Sequence, residues 1–333
     1  MTNPEKQRFV DRIKSLEERL LMVVNPVSKK GAERASSVRR MVRQEGMVLD
    51  ETSTDHPDDV GSTIEFWSKR FGGSRVIMVV GGDGAINQVV NNVMLSRANK
   101  NVVLVPIPAG TANDFCRAME LDSVETSLAA LSDFDVRTID LIKIEVEGVA
   151  KQRQLRYCSN IIGFGLDADL ARRSQKYKRF GVPGYWYASL KHAVVLMFKG
   201  VPTYNIRLKA GGLEYEGPSI GVMVANIAQY ARTFRIAPGA QPDDGKLHVT
   251  LVEGMSMPVT FAAAMSVQLG QHRRFKKVSV FDCREVEMEL LDDAYSQEDG
   301  EVFFYPRGTT FKITIDDQAL NVVTPSKATA GRS

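Results

Sequence analysis

Residues 79–88 read Val79-Val80-Gly81-Gly82-Asp83-Gly84-Ala85-Ile86-Asn87-Gln88, an apolar strand running into a glycine turn and then into a helical pattern over 85–95. Glycines let the backbone approach a phosphate closely, and the N–H groups at a helix start point at its negative charge. By itself such a turn is also an ordinary tight turn, so its meaning depends on what surrounds it. On the N-terminal side, strand-like runs at 21–24 and 47–52 are each followed by helical patterns, at 31–45 and 58–70. The strand at 75–80 leads into the glycine turn, and another at 102–106 precedes a helical stretch at 111–119. Strands alternating with helices imply a parallel sheet covered on both faces, with ligands bound at the carboxyl ends of its strands.

Two further turns leave that same expected rim. Asn25-Pro26-Val27-Ser28 follows the first strand, and Pro108-Ala109-Gly110-Thr111-Ala112-Asn113-Asp114-Phe115 follows the fourth. Together the three turns supply amide donors, the hydroxyls of Ser28 and Thr111, and the carboxylate of Asp83, a set suited to a metal-nucleotide. Neither GxxxxGK[ST] nor GxGxxG occurs, so the phosphate site is of another kind.

After about residue 136 the texture changes to short β-type runs at 138–146, 155–162, 204–208, 220–226, 247–252, 302–305 and 310–315, with helical stretches near 166–177, 184–198 and 257–269. Gly211-Gly212 and Asp299-Gly300 read as hairpin turns between such runs. The expected fold class is an α/β nucleotide-binding domain with a parallel sheet, followed by a second, mostly antiparallel β-rich domain.

The chain has 333 residues, 44% hydrophobic and 25% charged, enough for two cores. A net charge of +3 with dispersed basic residues gives no reason to expect a nucleic-acid partner. No apolar run approaches the ~20 residues needed to span a bilayer, and the first twenty residues lack a signal-peptide core, so a cytoplasmic protein is expected. Cys116, Cys158 and Cys283 are read as free thiols, and His56, His192, His248 and His272 show no metal-ligand spacing. Phe9, Val10, Ile13, Leu16 and Leu20 mark an amphipathic helix over 9–20. Arg172, Arg173, Lys176, Lys178 and Arg179, followed by the aromatic run Phe180 to Tyr187, are a candidate for peripheral contact with the inner membrane surface.

The elements NPVS, GGDGAINQVVNNV and PAGTANDFCRAM, in this order and spacing, resemble the three nucleotide-binding motifs of the diacylglycerol kinase catalytic-domain family, in its bacterial lipid kinase branch. The resemblance continues through Asn160 to Ala168, Ala237-Pro238, Asp244-Gly245-Lys246-Leu247 and Asp299-Gly300-Glu301. It covers roughly residues 18–324. It implies an ATP domain at 18–136 completed by 316–324 and a lipid domain at 137–315; the low-complexity tail at 325–333 is expected from its composition to be disordered. It further implies ATP contacts from Asn25, Pro26, Val27, Ser28 and Lys29, from Thr54, from Gly82, Asp83, Gly84, Ala85, Ile86, Asn87 and Gln88, and from Thr111. A general base is implied at Glu301 with Asp299 as the competing candidate. Besides the Mg2+ carried with ATP, it implies a structural Mg2+ on Asp244 and the carbonyls of Gln241 and Lys246. The expected partner is a lipid at a membrane surface; a homodimer is the other assembly considered.

Four positions depart from the family pattern. Ala85 stands where threonine is usual, Gln88 where glutamate is usual and Lys29 where glycine is usual, while Ala231-Arg232-Thr233 lies where glycines are common. The competing functional readings are an NAD kinase-like enzyme and a weakly active or inactive ATP- and lipid-binding module.

Overall fold

Four parallel strands are the frame of the nucleotide-type unit: β1 (Arg19–Val24), β2 (Val48–Ser53), β3 (Arg75–Gly81) and β4 (Val102–Pro108), in the order β2-β1-β3-β4. The computed structural model describes residues 19–25, 29–44, 48–54, 57–70, 75–130, 134–174 and 200–325. The amphipathic stretch 9–20, nearly all of it, the segment 175–199 with its basic and aromatic residues, and the tail after Pro325 lie outside the described residues. The chain divides into two compact units, Met1–Asp140 with Asp317–Ser333 and Leu141–Asp316.

In the first unit, Leu20 to Val23 and Ile77 to Val80 are buried at every position. Strands covered on both faces need continuous apolar runs rather than alternation. Helix α1 (Lys29–Gln44) turns Ala35, Val38 and Val42 inward at spacings of three and four. The others are α2 (Pro57–Arg70), α3 (Asp83–Leu95), α4 (Asp114–Ala118) and α5 (Val124–Ala130). Sequence patterning misses α5, which opens where Ser123 Oγ accepts the Thr126 N–H at 2.9 Å. Helix α4 is shorter than expected because Asn113 sits in the left-handed region at φ +54°.

The strand register places the turns. Val24 pairs with Ser53 and with Val80, and Val80 with Ile107, so these residues form one row across the sheet. The turns beginning at Asn25, Thr54, Gly81 and Pro108 therefore leave one rim.

The second unit is antiparallel. It contains the latter half of β5 (Phe134–Glu147), then β6 (Arg153–Cys158), β7 (Ile161–Gly165), helix α6 (Leu166–Ser174), β8 (Tyr204–Ala210) and β9 (Leu213–Ala225). It continues with β10 (Leu247–Glu253), helix α7 (Met257–Val267), β11 (Val278–Cys283), β12 (Glu285–Leu290), β13 (Ala294–Glu298) and β14 (Glu301–Tyr305). Alternation sorts β8, where Ile206, Leu208 and Ala210 are buried and Arg207 and Lys209 exposed. Phe311 receives the rings of Phe164 and Tyr305, both at 4.9 Å and edge-on, at the centre of this core. Gly211 and Gly212 turn the β8–β9 hairpin at φ +56° and +84°. The last strand, β15 (Thr310–Pro325), pairs with β12 through Thr310 to Thr314. Its later residues serve the first unit, where Asn321 and Val322 lie parallel to Val103 and Leu104 of β4.

Candidate functional site

The second and third turns of the first unit are in contact backbone to backbone. A Cβ added at Gly110 would lie 2.5 Å from Gly82 Cα, and one added at Gly82 would lie 2.9 Å from Gly110 Cα. Only glycine at both positions permits this approach. Ala109 donates its N–H to Gly81 O at 2.7 Å, and Asn25 donates its own to Val80 O at 3.1 Å, so all three turns are tied to the end of β3. Asn113 closes the third turn, its Oδ1 accepting from Gly110 N at 2.7 Å and its Nδ2 donating to Gly110 O at 3.2 Å. Gly110→Ala is expected to force these turns apart, lower the melting temperature by several degrees, roughly 2–5 °C, and abolish the thermal shift produced by added nucleotide.

The start of α3 carries no side-chain cap, since Gly82 at the cap position provides no acceptor. The first helical bond runs from Ile86 N to Gly82 O, so the N–H groups of Gly84 and Ala85 precede the helical ladder. A Cβ at Gly84 would meet nothing within 4 Å, so the turn is open at that residue. Ala85 packs inward, and a Cβ at Gly81 would lie 2.5 Å from its own. The Nε2 of Gln88 is buried without a hydrogen-bond partner. Thr54 donates its N–H to Val24 O, and Thr111 is exposed in the third turn. Pro26, Val27 and Ser28 lie outside the described residues, while Lys29 opens α1.

Asp83 makes a structural contact that its sequence position did not reveal. Its Oδ1 accepts the N–H of Phe115 at 2.9 Å, joining the second turn to the helix that leaves the third. Asp83→Asn keeps that acceptor and removes the charge, whereas Asp83→Ala removes both. We expect the Asn variant to melt like the parent yet lose ~100-fold in turnover, and the Ala variant to lose both turnover and several degrees of stability. Parent turnover in Asp83→Asn would take the carboxylate charge out of the chemistry.

In the second unit, Asp299 and Gly300 form the β13–β14 turn at φ +47° and +88°. Asp299 is buried, and its carboxylate accepts from Ser159 N (2.7 Å), Ser159 Oγ (2.9 Å), Asn160 N (3.0 Å) and Ile161 N (2.9 Å). These bonds also explain why the single strand expected over 155–162 is broken into β6 and β7. A carboxylate so committed is a structural anchor, which corrects its candidacy as the base. Glu301, two residues on, is exposed at the start of β14.

Sequence reasoning assigned no role to the groups beneath this hairpin. Gln297 accepts the Gly300 N–H on Oε1 at 3.0 Å and donates from Nε2 to Asp167 Oδ2 at 2.9 Å. The hydroxyl of Tyr230 donates to Asp167 Oδ1. Burial pushes the Asp167 carboxyl above the usual carboxylate range, opposed by the bonds from Tyr230 and Gln297. Burial likewise raises Glu298, opposed first by Arg156, which approaches it at 3.3 Å. The signal was present in Asn160 to Ala168, but a long-range partner set cannot be read from a local string.

The loop expected to hold a structural Mg2+ is closed by its own amides. Asp244 Oδ2 accepts from Gln241 N (3.1 Å) and lies 3.0 Å from His248 Nε2, while Oδ1 accepts from Lys246 N (3.1 Å). The Gln241 carbonyl accepts from Asp244 N at 3.2 Å. Gln241 and Lys246 thus each donate an N–H to the Asp244 carboxylate, one to each oxygen. Among the described residues no group of three or more His, Cys, Asp or Glu is placed to hold a metal.

Two other expectations are modified. Arg172 pairs with Asp169 at 3.5 Å and stacks over Tyr295 at 4.6 Å, so this member of the basic cluster is engaged in the fold. Ala231 and Arg232 adopt φ +47° and +70°, left-handed values that glycine takes without strain. A groove of about 740 Å3 bounded by Lys143, Glu145, Arg207, Glu289 and Lys312 is elsewhere in the second unit, and its charges pair with neighbouring side chains.

The sequence pattern of the diacylglycerol kinase catalytic domain matches residues 19–144, and that of the YegS C-terminal NAD kinase beta sandwich-like domain matches 160–324. The chain belongs to the diacylglycerol kinase catalytic-domain family, in its bacterial lipid kinase branch. Relatives of that family include a protein of Staphylococcus carnosus (strain TM300) named diacylglycerol kinase, 24% identical over 86% of this chain and 89% of its own length. Another, from Staphylococcus aureus (strain bovine RF122 / ET3-1) and of the same name, is 22% identical over 86% and 87%. The fold matches a crystal structure of a diacylglycerol kinase from Bacillus anthracis str. Sterne with a TM-score of 0.68, at 19% identity over 93% of this chain and 98% of that one. The second match runs on into residues 317–324, which belong to the first unit, and among the described residues no helix is long and apolar enough to cross a membrane.

Proposed function

We propose that this chain is an ATP- and Mg2+-dependent kinase that moves the γ-phosphoryl group of ATP to the hydroxyl of a lipid such as diacylglycerol or a sphingoid base. The observation that carries the reading is the uncapped start of α3, with open space over Gly84 and the Gly82–Gly110 contact beside it. Backbone N–H groups in such a cradle bind phosphate oxygens through hydrogen bonds that need no side chain. Ala85 therefore costs one hydroxyl and leaves the amide.

Phosphoryl transfer asks for little covalent work from the protein. The lipid hydroxyl oxygen bonds to the γ-phosphorus, the bond to the β–γ bridging oxygen breaks, and ADP leaves. The hydroxyl proton passes to the Glu301 carboxylate, which the Asp299 anchor and Gln297 hold on a fixed hairpin. A divalent cation bound with the nucleotide would neutralise charge on the phosphate oxygens.

A nucleotide-binding protein of low turnover is a second reading, favoured by the partnerless Nε2 of Gln88. Radiolabelled ATP supplied with a panel of lipids in mixed micelles tests both. Transfer of label to one lipid class supports the kinase and names its acceptor. Nucleotide binding without label in any lipid sinks it.

A further inference from the structure

Helix α7 is built the wrong way round for a helix that only packs on its own protein. Its sequence, MPVTFAAAMSV, carries no charge, yet only Thr260 and Ala263 are buried. Phe261, Met265 and Leu269 recur every four residues and so form one stripe on the helix and its continuation, with exposures of 52%, 50% and 69%. A surface helix normally turns its apolar stripe to the core.

The segment that follows is as one-sided in charge. Arg273, Arg274, Lys276 and Lys277 are all exposed. Arg274 donates to Gln271 Oε1 and Lys277 to Gly254 O, and among the described residues none of the four is paired with a carboxylate. No Asp or Glu occurs between Glu253 and Asp282, a stretch that covers the helix and the cations together.

We propose that the Phe261–Met265–Leu269 stripe and the adjoining cations form a docking surface for an anionic lipid bilayer. Charge complementarity selects the occupant. Anionic headgroups attract Lys and Arg near the surface, and exposed apolar side chains of a helix lying in the interface enter the acyl boundary. A second copy of this chain would bring the same four cations and, in this segment, no carboxylate to meet them. The surface shares no residue with the glycine turns and rests on exposure and charge, whatever lipid accepts the phosphoryl group.

The test is sedimentation of the full chain with vesicles of phosphatidylcholine alone or with about one-third phosphatidylglycerol. The parent should sediment with the anionic vesicles, less as salt rises. Phe261→Gln/Met265→Gln/Leu269→Gln and Arg273→Gln/Arg274→Gln/Lys276→Gln/Lys277→Gln should each weaken partitioning by about tenfold or more. Both variants should melt within ~2 °C of the parent, because they change exposed positions. Turnover of a short-chain, water-soluble acceptor should be unchanged in both. Parent-like sedimentation of both variants, or no binding by the parent, overturns the proposal. So does a shift from dimer to monomer in the triple variant with vesicle binding retained, since a second copy then covers the stripe. Vesicle binding that persists in a protein without lipid phosphorylation strikes the proposed activity and leaves the docking surface standing.

Discussion

Glu301→Gln is expected to lower lipid-dependent turnover by ~100-fold or more while leaving nucleotide binding and the melting temperature at parent values. The substitution keeps side-chain size and hydrogen-bonding capacity but removes a group able to take a proton. Glu301 is exposed, so its charge contributes little to the core beneath the hairpin. Steady-state turnover, a nucleotide-induced thermal shift and the unliganded melting curve together check the claim. Turnover of the Glu301→Gln variant at the parent rate would place proton acceptance elsewhere.

Asp299→Asn should produce the opposite pattern. The amide replaces one carboxylate oxygen with N–H donors that face either the Ser159 N–H or the Asn160 and Ile161 N–H groups, none of which can accept. Buried donors left without an acceptor, together with the lost charge-assisted bonds, amount to about 3 kcal/mol. The melting temperature should fall by roughly 5–10 °C. Turnover should fall as well, because the hairpin loses its anchor, but a loss of activity with no change in melting would show Asp299 acting in the chemistry itself. The pair of variants thus separates an anchor from a base two residues away.

The nucleotide-type half was legible because its signals are local. An unbroken apolar run followed by glycine, asparagine or proline marks a buried parallel strand and its exit turn, and the turns after Val24, Val80 and Ile107 needed only the register to meet. The β-rich half was less so. Strands β11 and β13 are five or six residues long with no clean alternation and were not expected, and neither was β12, although Glu285 to Leu290 does alternate charged and apolar residues. The roles of Asp299 and Asp244 were beyond reach for a different reason. Each is decided by which amides converge on a carboxylate, and for Asp299 those amides are 138–140 residues away in the chain. Resemblance transferred residue names to these positions and could not transfer their hydrogen bonds.

The path of β15 bears on how the protein is made. On the side away from β3, strand β4 receives its neighbour from Asn321 and Val322, and Leu320, Val322 and Val323 are buried there. During synthesis the chain for the four other strands of that sheet emerges first, followed by the whole antiparallel unit, before this last piece leaves the ribosome. Until then one edge of β4 exposes unpaired backbone groups and apolar side chains, the state most prone to joining a neighbour's sheet. A chain cut back to residue 316 would keep every glycine turn and leave that edge of β4 uncovered, so the closing residues of β15 serve as the guard of that edge.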